Sequence, residues 1–220
     1  MFEPCRPHRL FLRRLRGEFK LKSILNMEEI IADVDFARLV EVDRTTLRIE
    51  KEPGFQAILP DPHGNDERHW LTCTLAAAVS ERIMGIYHLR ENYSLRPGIV
   101  GGDVISDVMY GIITNAEEHG NSYDDSKVTM ISHQLVKKPE SDLLEVVVRD
   151  EGIGFDYAHL QACEIKARGT RRSYNTFREK KPQDSIGQGL FYVLRVCDEV
   201  AWTPPGNEIK VRLRLERKVV

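Results

Sequence analysis

Three groups of residues in this 220-residue chain have the types and spacing of a ligand site. Asp150 follows an apolar run, Leu143 to Arg149, and is itself followed by Gly152 and Gly154. A carboxylate leaving a strand can accept a hydrogen bond from an exocyclic amine, such as that of adenine, in a half-buried pocket. The two glycines let the backbone turn sharply and come close to a ligand. Gly187 and Gly189 open a second apolar segment, whose helical face is Leu190, Val193, Leu194 and Cys197. A glycine-rich helix entry presents unpaired N–H groups that suit a phosphate. Asn115, near the end of a third apolar stretch, offers an amide oxygen, a hard donor suited to Mg²⁺. Each signal alone has a plain alternative: a turn, a flexible helix entry, a satisfied structural asparagine. Asp150 stands 35 positions after Asn115, and Gly187 stands 37 after Asp150. In that order the three describe a nucleotide site.

The elements that must position these residues can be read from periodicity. A helix is expected over about Asp103 to His119, with Val104, Ile105, Val108, Met109, Ile112, Ile113 and Ala116 on one face and Asn115 on its border. His119, one turn beyond Asn115, can reach the phosphates or the lid, or simply cap the helix end, where positive charge is favoured. Strands are expected over Lys127 to Lys137 and Leu143 to Arg149, in a sheet covered on one side. A helix from Gly187 to Cys197 and a hairpin, Glu199 to Thr203 and Glu208 to Glu216, close the chain. Upstream, Met27 to Val40 reads as a helix, Thr45 to Glu50 and Phe55 to Leu59 as short strands, and His69 to Tyr93 as a long helix.

Composition narrows the class. Lys and Arg total 32 against 34 Asp and Glu, so no global field points to direct nucleic-acid binding. Cys5, Cys73, Cys163 and Cys197 are scattered, as expected for inert thiols in a reducing compartment. No run approaches the roughly eighteen apolar residues of a membrane span. A cytoplasmic protein with no membrane contact is the expectation. Residues 1–26 form a basic extension, with seven Lys and Arg facing Glu3 and Glu18. It can be a poorly ordered tail, a segment upstream of a true start at Met27, or an arm for an acidic partner. Residues 27–66 are read as an accessory segment or the start of the sheet, and 67–220 as the main domain with a lid at 157–184.

Together, Thr114-Asn115-Ala116-Glu117-Glu118-His119-Gly120, Arg149-Asp150-Glu151-Gly152-Ile153-Gly154-Phe155-Asp156 and Gly187-Gln188-Gly189-Leu190-Phe191, running on to Asp198-Glu199-Val200, resemble the Bergerat-fold ATPase superfamily. Within it the chain is most similar to bacterial anti-sigma-factor serine/threonine kinases, over roughly Trp70 to Arg217. The resemblance implies an α/β (α+β) two-layer sandwich, in which a mixed, mostly antiparallel sheet carries helices on one face. It implies ATP and Mg²⁺ as cofactors. Asn115 would hold Mg²⁺, Asp150 would hold adenine, and His119, Gly152, Gly154, Gly187, Gly189 and Leu190 would line the nucleotide. It also implies a protein partner such as a sigma factor or an anti-sigma antagonist; homodimerisation is left open.

One residue departs from that family. A glutamate four positions before the asparagine usually serves as general base, on the helix face that reaches the same phosphate. Here that position is Gly111. A positioned base contributes about 10²–10⁴-fold in rate. Glu118 is a weak substitute on the opposite turn, and Asp107 lies roughly 12 Å back along the helix. The catalytic residue is therefore unknown, and phosphoryl transfer is left open beside a non-catalytic ATP-binding module. Gly111→Glu is expected to raise transfer. A histidine-kinase catalytic domain is a third reading, disfavoured because neither His69 nor His88 sits in an acceptor motif. Within the lid, Lys166, Arg168, Arg171, Arg172, Arg178, Lys180 and Lys181 crowd into the 16 residues 166–181 beside a single acid, Glu179. They can contact phosphates, form a solvated loop, or dock an acidic partner.

Overall fold

A computed structural model of the chain describes residues 29–34, 36–56, 58, 67–98, 103–155 and 188–219. The basic extension at 1–26, the lid at 157–184 and Gly187 lie outside the described residues. The fold is mixed α+β, with an eight-stranded open sheet and four α-helices among the described residues. The strands are β1 (Glu29–Val34), β2 (Ala37–Asp43), β3 (Thr46–Lys51), β4 (Tyr93–Ser94), β5 (Thr129–Val136), β6 (Asp142–Arg149), β7 (Glu199–Thr203) and β8 (Glu208–Arg217). The helices are α1 (Glu67–Ile86), α2 (Leu89–Asn92), α3 (Val104–Asn115) and α4 (Gln188–Val196). Strand order is β1-β2-β3-β5-β6-β8-β4, with β7 also paired to β8. Every pairing among the described residues is antiparallel, so the expected mixed sheet is not seen there.

Register puts the apolar residues on one face. Leu47 lies opposite Ile131, Ile131 opposite Val148, and Val148 opposite Ile209. Val146 and Val211 continue the next row. These side chains are buried and join Val108, Met109, Ile112 and Ile113 of α3 in one core. Helix α3 is central, packed against α1 on one flank and α4 on the other. Its start is fixed by Asp103, whose carboxylate accepts from the N–H groups of Ile105 and Ser106 at 3.0 and 2.9 Å. No helix among the described residues is long and apolar enough to cross a membrane.

The amino-terminal region corrects the sequence expectation. Met27 to Val40 was expected to be helical, yet its described residues form the hairpin β1–β2, turning at Phe36 with φ 62°. Ile30, Ile31, Val34 and Val40 there are β-branched, which favours a pleated surface over a helix. Phe55 to Leu59 is no strand where described: the Phe55 N–H donates to the Glu52 carbonyl, the Ile58 N–H donates to the Phe55 carbonyl, and Phe55 is buried as a core anchor. The long helix breaks at His88, which takes the left-handed conformation before α2. Through β3–β5 pairing, the first three strands continue the sheet that carries Asp150.

At the end of β6 remote from Asp150, the fully buried Asp142 carboxylate accepts from Tyr93, Lys137 and Arg217. The Arg217 guanidinium, outweighing burial, holds its carboxyl well below the ordinary range. This cluster joins β4, β6 and β8 about 25 Å along the strand from the candidate site. On β5, burial of His133 and the nearby Arg82 charge push its imidazole down to about 4. The folded state thus prefers neutral His133, so stability present above about pH 6.5 is lost as pH falls toward 4. In urea titrations at pH 7 and pH 4.5, His133→Gln should reduce the acid-induced loss by roughly 1–2 kcal/mol. An identical pH dependence in both proteins would exclude this role.

Candidate functional site

Asp150 is placed where β6 ends and is held from three sides. Its N–H donates to the Asn207 carbonyl at 2.9 Å, and the Asn207 amide donates back to the Asp150 carbonyl at 3.2 Å. Its carboxylate accepts from the Gly152 N–H at 2.8 Å. Burial pushes the Asp150 carboxyl above its ordinary value, opposed by the Gly152 N–H and reinforced by the nearby Glu117 charge. Asp150 is thus a buried acceptor with part of its hydrogen-bonding capacity outside that one backbone contact.

Glycine is required beside it because two backbones meet there. A β-carbon on Gly120 would lie 2.3 Å from the Asp150 carboxyl carbon, and one on Gly152 would lie 2.2 Å from the Gly120 carbonyl oxygen. Gly154, at φ 77°, turns the loop against Pro205. Beyond it Phe155 sits edge-on to Trp202 at 6.3 Å, while Ile153 is 96% exposed.

Helix α3 does not end as a plain α-helix. Ala116 to Gly120 form a π turn, with the Asn121 N–H reaching the Ala116 carbonyl at 2.7 Å. Such turns often occur at functional sites. The turn is anchored by Glu117, whose carboxylate pairs with Lys51 of β3 at 2.7 Å; both side chains are 1% exposed. The Thr129 hydroxyl donates to the same carboxylate at 2.6 Å. The Asn121 amide donates to Thr129 and the Val128 carbonyl, and its oxygen accepts from the Glu151 N–H at 2.9 Å. Lys51, Glu117, Asn121 and Thr129 therefore tie the glycine loop to the sheet. Sequence reasoning missed all four. A signal existed for Glu117, which continues the apolar strip of Met109, Ile112, Ile113 and Ala116.

Asn115 sits half-buried at the end of α3 and makes no capping hydrogen bond. It lies one turn past Gly111 and shares the helix strip that faces α4. His119 and Glu118 are exposed, with Glu118 paired to His69 of α1 at 3.7 Å. Gly189 meets Gly111, and Leu190 is buried in the core. The end of α3 therefore touches two motifs: the Asp150 loop through Gly120, and the start of α4 through Gly111. Among the described residues no group of three or more His, Cys, Asp or Glu could hold a metal alone. A single amide donor such as Asn115 suits Mg²⁺, which keeps waters and phosphate oxygens as its other ligands.

Gly111 has no room for a larger side chain. A β-carbon there would lie 2.8 Å from the Gly189 carbonyl oxygen and 2.9 Å from Val193 Cγ2. A glutamate at 111 would have to push α4 aside, and this packing works against the expected gain in transfer from Gly111→Glu. Asp107 is no substitute base. It is buried against Tyr192, whose phenol is pushed up to about 12 by burial first and the Asp107 charge second. In comparisons with known proteins, no family model matches the chain and no curated protein matches its sequence.

Proposed function

We propose that this chain is a cytoplasmic ATP-binding regulatory protein of the Bergerat type. On this reading it resembles anti-sigma-factor serine/threonine kinases and controls a protein partner through nucleotide-dependent binding. The observation that carries the reading is the contact of one helix end with both glycine motifs, at Gly120–Asp150 and Gly111–Gly189. Asp150 accepts the adenine amine, Asn115 holds Mg²⁺, and the entry to α4 receives phosphate. His119 stands at the exposed edge of the same turn. Mg-ATP, when bound, supplies a transferable phosphoryl group. The chain's own residues orient the base at Asp150 and shape the loop through Gly152 and Gly154. The partner is a sigma factor or an antagonist of that class.

The packing of Gly111 on Gly189 favours a second reading, an ATP-binding module that performs no transfer to a hydroxyl group. Without a base at that position, transfer to serine or threonine should be slower by about 10²–10⁴-fold than in a site that has one. Binding and transfer are separable by titration. Asn115→Ala should weaken Mg-ATP binding at least tenfold while leaving magnesium-free ATP binding unchanged. Asp150→Ala should weaken both. Equal affinity of Asn115→Ala and wild type for Mg-ATP would remove Asn115 from the metal site.

A further inference from the structure

Asp107 has no part in the proposed chemistry, yet it is a carboxylate only 5% exposed on the face where α3 crosses α4. A buried carboxylate persists where a partner compensates its lost hydration. Tyr192 of α4 is such a partner, and its phenol hydroxyl hydrogen-bonds to Asp107. Burial first and the Asp107 charge second push that phenol up to about 12, with Arg96 opposing and Cys197 adding to the shift. The hydroxyl therefore keeps its proton and stays a donor at working pH. The loop before α3 closes over the other side: a β-carbon on Gly98 would lie 2.7 Å from Asp107 Oδ2.

Two contacts thus run along the same pair of helix strips. Asp107 and Gly111 are four positions apart on α3, and Gly189 and Tyr192 are three apart on α4, so each pair shares a face. Gly111 on Gly189 brings the backbones close, since a β-carbon on Gly189 would lie 3.0 Å from Gly111 Cα. That glycine contact has no side chains to interlock; it sets the separation but not how far one helix slides along the other. The buried Leu190, Val193 and Leu194 add apolar cohesion, which is non-directional. A phenol–carboxylate hydrogen bond is short and directional, and it fixes the axial setting of α4. At the far end the tie is an exposed one, Arg96 Nη2 donating to the Val196 carbonyl at 3.1 Å.

We propose that Tyr192 and Asp107 are positioning residues for the phosphate end of the nucleotide, their hydrogen bond setting the start of α4 against α3; this rests on the ATP-binding reading above. Tyr192 stands less than one turn from Gly189, about 4.5 Å along the axis, so the bond acts on the stretch that receives phosphate. The base-binding loop meets α3 elsewhere, through the approach of Asp150 and Gly152 to Gly120. Loss of the hydrogen bond therefore lowers affinity for the phosphates and leaves recognition of the base intact.

The test titrates the full chain by calorimetry with Mg-ATP and with adenosine. Tyr192→Phe keeps the ring that packs against the core and removes only the hydroxyl. It should weaken Mg-ATP about tenfold, the scale of one hydrogen bond to a charged group, and leave adenosine affinity unchanged. Asp107→Asn keeps an acceptor oxygen for the phenol and should bind Mg-ATP like wild type, whereas Asp107→Leu should match Tyr192→Phe. Combining Tyr192→Phe with Asp107→Leu should weaken Mg-ATP no further than either alone, because both remove one interaction. Hydrogen exchange on the nucleotide-free chain gives a second measurement. Tyr192→Phe should speed exchange across Leu190 to Val193 while the amides of β6 keep their rates. Parallel loss of Mg-ATP and adenosine affinity, or loss of neither, overturns the inference. So does unchanged exchange in α4, or a double variant weaker than both single ones. Absence of Mg-ATP binding by wild type overturns the functional reading instead, and exchange then decides by itself whether the pair holds α4.

Discussion

Glu117→Ala is expected to destabilise the chain by about 3–5 kcal/mol, because it leaves the Lys51 ammonium buried without its counter-charge. Both side chains of the pair are 1% exposed, so neither can rehydrate without opening the fold. The truncation also removes the acceptor of the Thr129 hydroxyl. Most surface ion pairs contribute under about 1 kcal/mol, and the difference lies in desolvation. The effect should reach the site as well. Glu117 fixes the π turn that follows Asn115, and Asn121 of the same network holds the Glu151 N–H. Nucleotide affinity should therefore fall even at temperatures where the variant stays folded. Urea unfolding measures the first effect and calorimetry the second. Replacing both partners, as Lys51→Met with Glu117→Leu, should recover much of the stability, since an apolar pair incurs no desolvation cost. A Glu117→Ala midpoint equal to that of wild type would show that the pair does not anchor the turn.

Gly111 gives the second large effect, and its sign separates two physical accounts. Helix propensity alone predicts that Gly111→Ala stabilises α3 by about 1 kcal/mol. The contact with α4 predicts the reverse. The new methyl group would meet the Gly189 carbonyl oxygen at 2.8 Å, and backbone cannot swing aside as a flexible side chain can. Overpacking of this kind costs about 1–3 kcal/mol. Gly111→Ala should therefore lower the urea midpoint, and Gly111→Glu should lower it further by forcing α4 away. Phosphoryl transfer to a hydroxyl acceptor should not rise in Gly111→Glu. A Gly111→Ala protein more stable than wild type would contradict the close helix crossing.

The same residue shows what was legible in the sequence. Gly111 was noticed as a vacancy, because a motif spacing pointed to it. Its packing role was invisible, since Gly189 lies far along the chain and only the helix crossing brings the two together. Helices α3 and α4 and strands β5 to β8 fell within a few residues of expectation. Their apolar periods are strong, and proline or glycine punctuates their ends. Met27 to Val40 misled because its apolar residues fit a ragged helical face. The hairpin turn there uses Phe36 at φ 62°, with none of the glycine or asparagine that usually marks such a turn. At the site, the residue types of Asp150, Gly152 and Gly154 suggested a close backbone approach, but not that Gly120 is the partner. Lys51 and Glu117 are 66 positions apart, and no local pattern joins them.

On the proposed reading, Asn115, Asp150 and the start of α4 line one ATP pocket. Titration calorimetry of the full chain with Mg-ATP, alongside Mg-GTP, tests it most directly. One site per chain should fill at micromolar Mg-ATP, with weaker binding of Mg-GTP and loss of the adenine preference in Asp150→Ala. No heat of binding with Mg-ATP at high micromolar concentration would contradict it.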